Sequence, residues 1–240
     1  YNVIGIEWYR LANIYNYIEA AENTNRVGNH VGTNLVSKIF MDELGQTSDQ
    51  IHAIGHSLGA HLVGHLGRAV QAEGKDPIKR VTALDPAKPY FDIVSQDYRV
   101  QPTDAVLVDV IHTNSGDLWE SALSMPWVVG DVDFFPNGGK HQPGCTEACI
   151  GTACLDIPLI DMFNSKQSEV NQWIFFFKND CFSGACSHMR SIEVYIDSVA
   201  NRKNPSYFES LACLSYESYQ AGECSENSKI PMGEQLSTEM

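Results

Sequence analysis

Along the first half of the chain, short apolar runs of strand length alternate with longer stretches in which apolar residues recur every three to four positions. Asn2-Val3-Ile4-Gly5-Ile6-Glu7-Trp8 opens it as an apolar strand. The spacing predicts a helix from about Asn25 to Leu44, with Val27, Val31, Leu35, Val36, Ile39 and Phe40 on one face and Gly45 as its stop. Gln50 to Ile54 reads as a short buried strand, and Gly59 to Val70 as a helix carrying Leu62, Val63, Leu66 and Val70. Two more strands follow. Lys79 to Leu84 ends at Asp85-Pro86, and Ala105 to Ile111 is so continuously apolar that burial on both faces is expected. Strands alternating with helices predict an α/β fold, a parallel sheet covered by helices, whose sites lie at the carboxyl ends of the strands.

Beyond Gly130 the pattern loosens. Asp131 to Phe135 is a candidate short strand, followed by a Pro136-Asn137-Gly138-Gly139 turn, and Arg190 to Val199 is compatible with either strand or helix. Residues 1–222 of the 240, at 43% hydrophobic overall, can bury a sizeable core and are expected to form one domain. The segment from Glu223 to Met240 is polar, without aromatics, and is expected to fray.

Sixteen basic against thirty acidic residues leave a formal charge of −14, which argues against nucleic acid and against electrostatic docking on anionic membranes. Any lipid surface must be met through apolar contacts. No apolar run approaches the ~18 residues of a bilayer span, and the first residues lack the pattern of a signal peptide, so the chain reads as a mature form or a fragment. Seven cysteines, all between Cys145 and Cys224, favour local disulfides in an oxidising compartment, while their spacing does not resemble a zinc site.

Gly55-His56-Ser57-Leu58-Gly59 falls between the second predicted strand and the helix after it, the context of a nucleophile elbow. A serine hydroxyl attacks only when a base takes its proton, and the sharp turn exposes it to one; flanking glycines suit a crowded backbone. On such a sheet the partners follow in the order acid, then histidine. Asp85 suits the acid, standing directly after a strand in a loop stiffened by Pro86 and Pro89; Asp109 lies mid-strand and is the lesser candidate. Among eight histidines, His30, His52 and His56 have blander readings, and His61 and His65 are four apart on a helix without a third ligand. His188, His112 and His141 remain as bases, with His188 foremost because a cysteine two residues before it can anchor its loop.

These segments together resemble the animal pancreatic-type lipases, including secreted arthropod members. The match runs through Asn2-Val3-Ile4 to Trp8, Ile54 to His61, Leu84-Asp85-Pro86-Ala87 with Pro89, Val108 to Thr113, Asp133 to Gly139 and Cys186 to Ser191. The resemblance implies an α/β-hydrolase fold, Ser57 as nucleophile, Asp85 as acid and His188 as base, acting on acylglycerol esters at a lipid interface outside the cell. Leu58 N–H would supply one oxyanion donor. The second comes, in that family, from a loop preceding the first strand, so the chain reads as N-terminally incomplete. The resemblance also implies a Cys145–Cys186 disulfide closing a lid of about residues 145–186, and a Cys213–Cys224 disulfide; Cys149, Cys154 and Cys181 depart from the pattern, leaving Cys181–Cys186 and Cys149–Cys154 as local alternatives.

The insert carries Ile157, Leu159, Ile160, Met162, Phe163 and the run Trp173-Ile174-Phe175-Phe176-Phe177, readable as an interface-opened lid or as buried core. Some relatives bind structural calcium before the Asp109 strand. Here Arg99 and Asp104 remain as candidates, but Gln96 and Gln101 stand where carboxylates are expected, so no cofactor is anticipated. Two rivals stay open: a phospholipase A1 on the same triad, and a non-catalytic, yolk-type lipid carrier.

Overall fold

A computed structural model describes residues 2–12, 16–116, 122–150, 153–158, 185–204 and 206–237. Helix α1 (Tyr17–His30) begins well before the predicted start because Asn16 caps it, accepting from Glu19 N–H. It continues as a π-helical stretch, Val31–Glu43, and the chain turns away at Gly45, whose φ of +67° only glycine adopts freely. Strand β1 (His52–His56), helix α2 (Leu58–Ala72), β2 (Arg80–Leu84), β3 (Leu107–Ile111) and β4 (Val132–Phe134) follow. They build a four-stranded sheet in the order β1-β2-β3-β4, with β1 and β2 parallel and His56 opposite Leu84.

Strand burial follows position in that order. All five residues of β2 and of β3 are buried; the apolar run expected to be buried from Ala105 is so from Leu107 to Ile111, while Val106 lies outside the strand and is exposed. β1 lies two residues later than predicted and is not fully buried: it is the last strand in the order, and Ile54 is 44% exposed. The opening segment is not a strand either. Residues 2–7 carry no strand pairing and Val3 is 94% exposed, because an apolar alternation becomes a strand only where a neighbour takes its backbone hydrogen bonds.

The described residues cluster into two units, Tyr1–Asp109 with Val129–Val132, and Val110–Val128 with Asp133–Met240. In the first, α1 and its π-helical extension cross α2 at glycine. A Cβ on Gly28 would lie 2.5 Å from the Leu62 carbonyl oxygen, and one on Gly32 2.5 Å from that of Leu66, so backbone packs on backbone there. Ala20, Ala21, Val36, Leu62, Val63, Leu66 and Val70 fill the surrounding core.

The second unit holds the hairpin β5 (Cys145–Ile150) and β6 (Ala153–Pro158), helix α3 (Ala185–Ala200), β7 (Glu209–Leu211), α4 (Tyr216–Gln220) and β8 (Lys229–Pro231). The ambiguous segment at Arg190 to Val199 is thus helical. The Pro136 turn has three consecutive left-handed residues, Asn137, Gly138 and Gly139, which explains its composition. The polar segment after Glu223 does not fray over its described part. β8 pairs antiparallel with β7, Met232 and Leu236 are buried, and Glu234 N–H donates to Ser198 Oγ at 2.9 Å while its carboxylate accepts from Tyr195. Cys213–Cys224 and Cys145–Cys186 are disulfide-bonded. Cys149 and Cys154 are register partners in the hairpin, and Cys181, with the lid residues Leu159, Ile160, Met162, Phe163 and Trp173 to Phe177, lies outside the described residues.

Candidate active site

Ser57 occupies the junction between β1 and α2 with φ +57° and ψ −120°, a conformation β-branched and bulky residues avoid and whose strain a strand-to-helix elbow stores. Gly55 is obligatory here. A Cβ would sit 2.0 Å from the Gly59 carbonyl oxygen and 2.4 Å from its carbon. Gly59 has a different reason for being small or none: among the described residues nothing lies within 4 Å of its Cβ position. Leu58 opens α2, so its N–H has no carbonyl within the helix to pair with and stands at the positive end of the helix dipole.

Asp85 follows β2, the parallel neighbour of β1, and is fully buried with φ +46°. Two backbone hydrogen bonds, from either side of Asp85, bolt its loop to the elbow at Ser57. Ser57 N–H donates to Leu84 O at 2.9 Å, and Ala87 N–H donates to Ser57 O at 3.3 Å. One turn along α2, His61 Nε2–H donates to Ala87 O at 2.8 Å, while its Nδ1 accepts from Val100 N–H at 3.2 Å and its ring stacks on Phe91 at 3.7 Å. His61 is therefore a fixed tautomer. Burial lowers its pKa to about 3, against the opposing pull of the Ala87 carbonyl.

Asp109, the rival acid, has both oxygens committed. Arg80 donates from Nε to Oδ1 at 2.7 Å and from a terminal nitrogen to Oδ2 at 2.8 Å; Thr82 donates to Oδ1 at 2.7 Å and accepts from His52 Nε2 at 2.8 Å. The group is a buried structural ion pair with a histidine tail. Burial, reinforced by Arg80 and Lys79, lowers the His52 pKa to about 3, and burial beside Arg68 lowers that of His65 to about 4.

His188 belongs to the second unit, in the first turn of α3, and is largely buried. Two anchors precede it. Cys186 is bonded to Cys145, and Ser187 Oγ accepts from Gln142 N–H at 3.0 Å. Gln142 in turn donates from Nε2 to Thr113 O and Pro136 O and accepts from Asn137 Nδ2, joining three loops through one amide. Of the other candidate bases in that unit, His112 is buried with Nε2 2.7 Å from Asp133 Oδ1 and stacks on Phe135 at 4.3 Å, while His141 is exposed.

Among the described residues, no three His, Cys, Asp or Glu side chains converge as a metal site requires. The loop proposed for calcium fits poorly: Asp104 accepts from Arg68 through Oδ1 and from Gln101 N–H through Oδ2, and Gln96 and Gln101 bring no charge.

A strained serine at a strand-to-helix junction, with an aspartate ending the adjacent parallel strand, is the nucleophile-elbow arrangement of the α/β-hydrolase fold. The chain matches the Lipase family over residues 1–238 and belongs to it. It is 34% identical over 224 residues to pancreatic lipase-related protein 2 of Rattus norvegicus and 36% over 225 residues to pancreatic lipase-related protein 3 of Homo sapiens. To pancreatic triacylglycerol lipase of Mus musculus it is 33% identical over 224 residues. Each alignment takes in 93% of this chain and 42% of the relative, so the chain spans less than half the length of these relatives.

His61, Ala87 and Gln142 were not legible as site-forming residues. Their partners are mostly backbone groups, which leave no mark in side-chain spacing.

Proposed function

We propose that the protein is a secreted lipase that hydrolyses acylglycerol esters through Ser57, Asp85 and His188. His188 removes the Ser57 proton as the hydroxyl attacks the acyl carbonyl, and Asp85 orients the imidazole and stabilises its charged form. Leu58 N–H donates to the developing oxyanion. His188 then protonates the departing alcohol, and water, activated by the same ring, releases the fatty acid from the acyl-enzyme.

The observation that carries this reading is the elbow itself: Ser57 at φ +57°, tied through Leu84 and Ala87 to the loop that bears Asp85. Family membership supports an ester as substrate, and one relative is named a triacylglycerol lipase. Two disulfides support an oxidising, extracellular setting.

The test is hydrolysis of emulsified triacylglycerol and of phosphatidylcholine by the protein and its Ser57→Ala, Asp85→Asn and His188→Gln variants. Triacylglycerol should be the better substrate. Asp85→Asn should cost on the order of 10⁴ in kcat, with Ser57→Ala and His188→Gln at least as severe. Preference for the phospholipid would make the protein a phospholipase, and hydrolysis unaffected by Ser57→Ala would refute the catalytic reading.

A further inference from the structure

We propose that Arg68 is the resident cation of the loop spanning residues 96–104, so that this loop keeps its shape without a divalent metal. The loop runs from a 3₁₀ turn at Gln96–Tyr98 to another at Pro102–Asp104, and its one buried carboxylate is Asp104, with a side-chain exposure of 0%. A buried carboxylate needs a positive charge and hydrogen bonds for its oxygens. Calcium would meet that need by collecting carboxylate and carbonyl oxygens around itself. Here a guanidinium does so. One terminal nitrogen of Arg68 donates both to Asp104 Oδ1 at 2.6 Å and to the Arg99 carbonyl at 3.0 Å, bridging a carboxylate and a backbone oxygen as a metal ion bridges them.

Two further hydrogen bonds complete the hold on the carboxylate and the guanidinium. Asp104 Oδ2 accepts from Gln101 N–H at 2.9 Å, and the other terminal nitrogen of Arg68 donates to His65 Nδ1 at 2.9 Å. The helix surface is cut to receive the loop. A Cβ on Gly64 would come 2.4 Å from Asp104 Oδ2 and one on Gly67 2.0 Å from Asp104 O, and Gln71 Nε2 donates to Thr103 O at 2.8 Å. Gly64, His65, Gly67, Arg68 and Gln71 thus form one stripe of α2 shaped to this loop. A divalent ion entering the cluster would take up oxygens the guanidinium already holds and would be repelled by it. The two neutral residues, Gln96 and Gln101, add no charge to outweigh that repulsion.

The test does not depend on catalysis. Thermal unfolding of the whole protein is followed in excess EDTA and in millimolar calcium chloride, with magnesium and sodium chlorides at matched ionic strength, and calcium is titrated in by calorimetry. A metal held only by the folded chain raises Tm by mass action, so the wild-type midpoint should move by less than about 1 °C between EDTA and calcium, with no specific heat of binding. Arg68→Met, which keeps the stem and removes the charge, should lower Tm by about 5 °C or more, and Arg68→Lys should recover part of that loss. Calcium-specific stabilisation of the wild type would overturn the proposal. So would equal Tm values for the lysine and methionine variants, which would assign Arg68 to packing alone. If the methionine variant does not fold, the wild-type titration decides.

Discussion

Replacing Asp109 by asparagine puts the buried polar network of the sheet to the sharpest test. The carboxylate is fully buried, Arg80 is 6% exposed at its side chain, and four hydrogen bonds run from His52 through Thr82 and Asp109 to Arg80. Asparagine keeps the shape and one acceptor oxygen. Its amide nitrogen, placed where Oδ2 was, would face the Arg80 donor now 2.8 Å away, setting donor against donor beside an uncompensated guanidinium. Removing one partner of a buried ion pair costs about 3–5 kcal/mol, against a total stability of roughly 5–15 kcal/mol for a domain. Denaturant unfolding should therefore show a midpoint shift of that size at unchanged m. Arg80→Met with Asp109→Leu should restore most of it, because exchanging the whole pair for apolar groups removes both buried charges. Asp109→Asn should retain ester hydrolysis per folded molecule. A stability loss below about 1 kcal/mol, or an activity loss matching that of Asp85→Asn, would refute the assignment of Asp109 to structure.

Gly55→Ala should destabilise by ~3 kcal/mol or more and impair hydrolysis even where folded, because its methyl would meet backbone atoms of Gly59 and Ala60; Gly59→Ala should fold normally, and urea unfolding with an ester assay checks both. Lowered pKa values at His52, His61 and His65, about 3, 3 and 4 against 6.5, mean the unfolded chain binds more protons in acid. Their contribution is complete above about pH 6.5 and is lost as pH falls toward 4 to 3, at up to about 1.4 kcal/mol per pH unit for each ring. Stability measured from pH 7 to 4 should decline with that sign, and His61→Gln should flatten the slope; an unchanged slope would contradict the burial of a neutral His61.

The sheet's middle was legible because burial on both faces leaves an unbroken apolar run, as at Leu107 to Ile111. The elbow was legible because its requirements are local: glycine where Gly59 O presses on position 55, and serine at the turn. What depends on a neighbour was not. Asn2 to Glu7 has strand-like alternation without a pairing partner among the described residues, and β1 is the end strand of the described sheet, whose exposure cannot be read from its own residues. Around the candidate site, Asp85 was marked by its place after a strand. Arg68 was not marked at all, since a helical arginine looks solvent-facing until a loop distant in sequence brings Asp104 to it.

The Cys145–Cys186 bond ends two residues before His188, and Ser187 is held independently by Gln142. The first turn of α3, which carries His188, is therefore tied covalently to Cys145 and by a hydrogen bond to Gln142. Forty residues lie between those cysteines, and a bond that closes a loop of that length restricts the unfolded chain by roughly 4 kcal/mol, so its weight falls on the stability of the fold around α3.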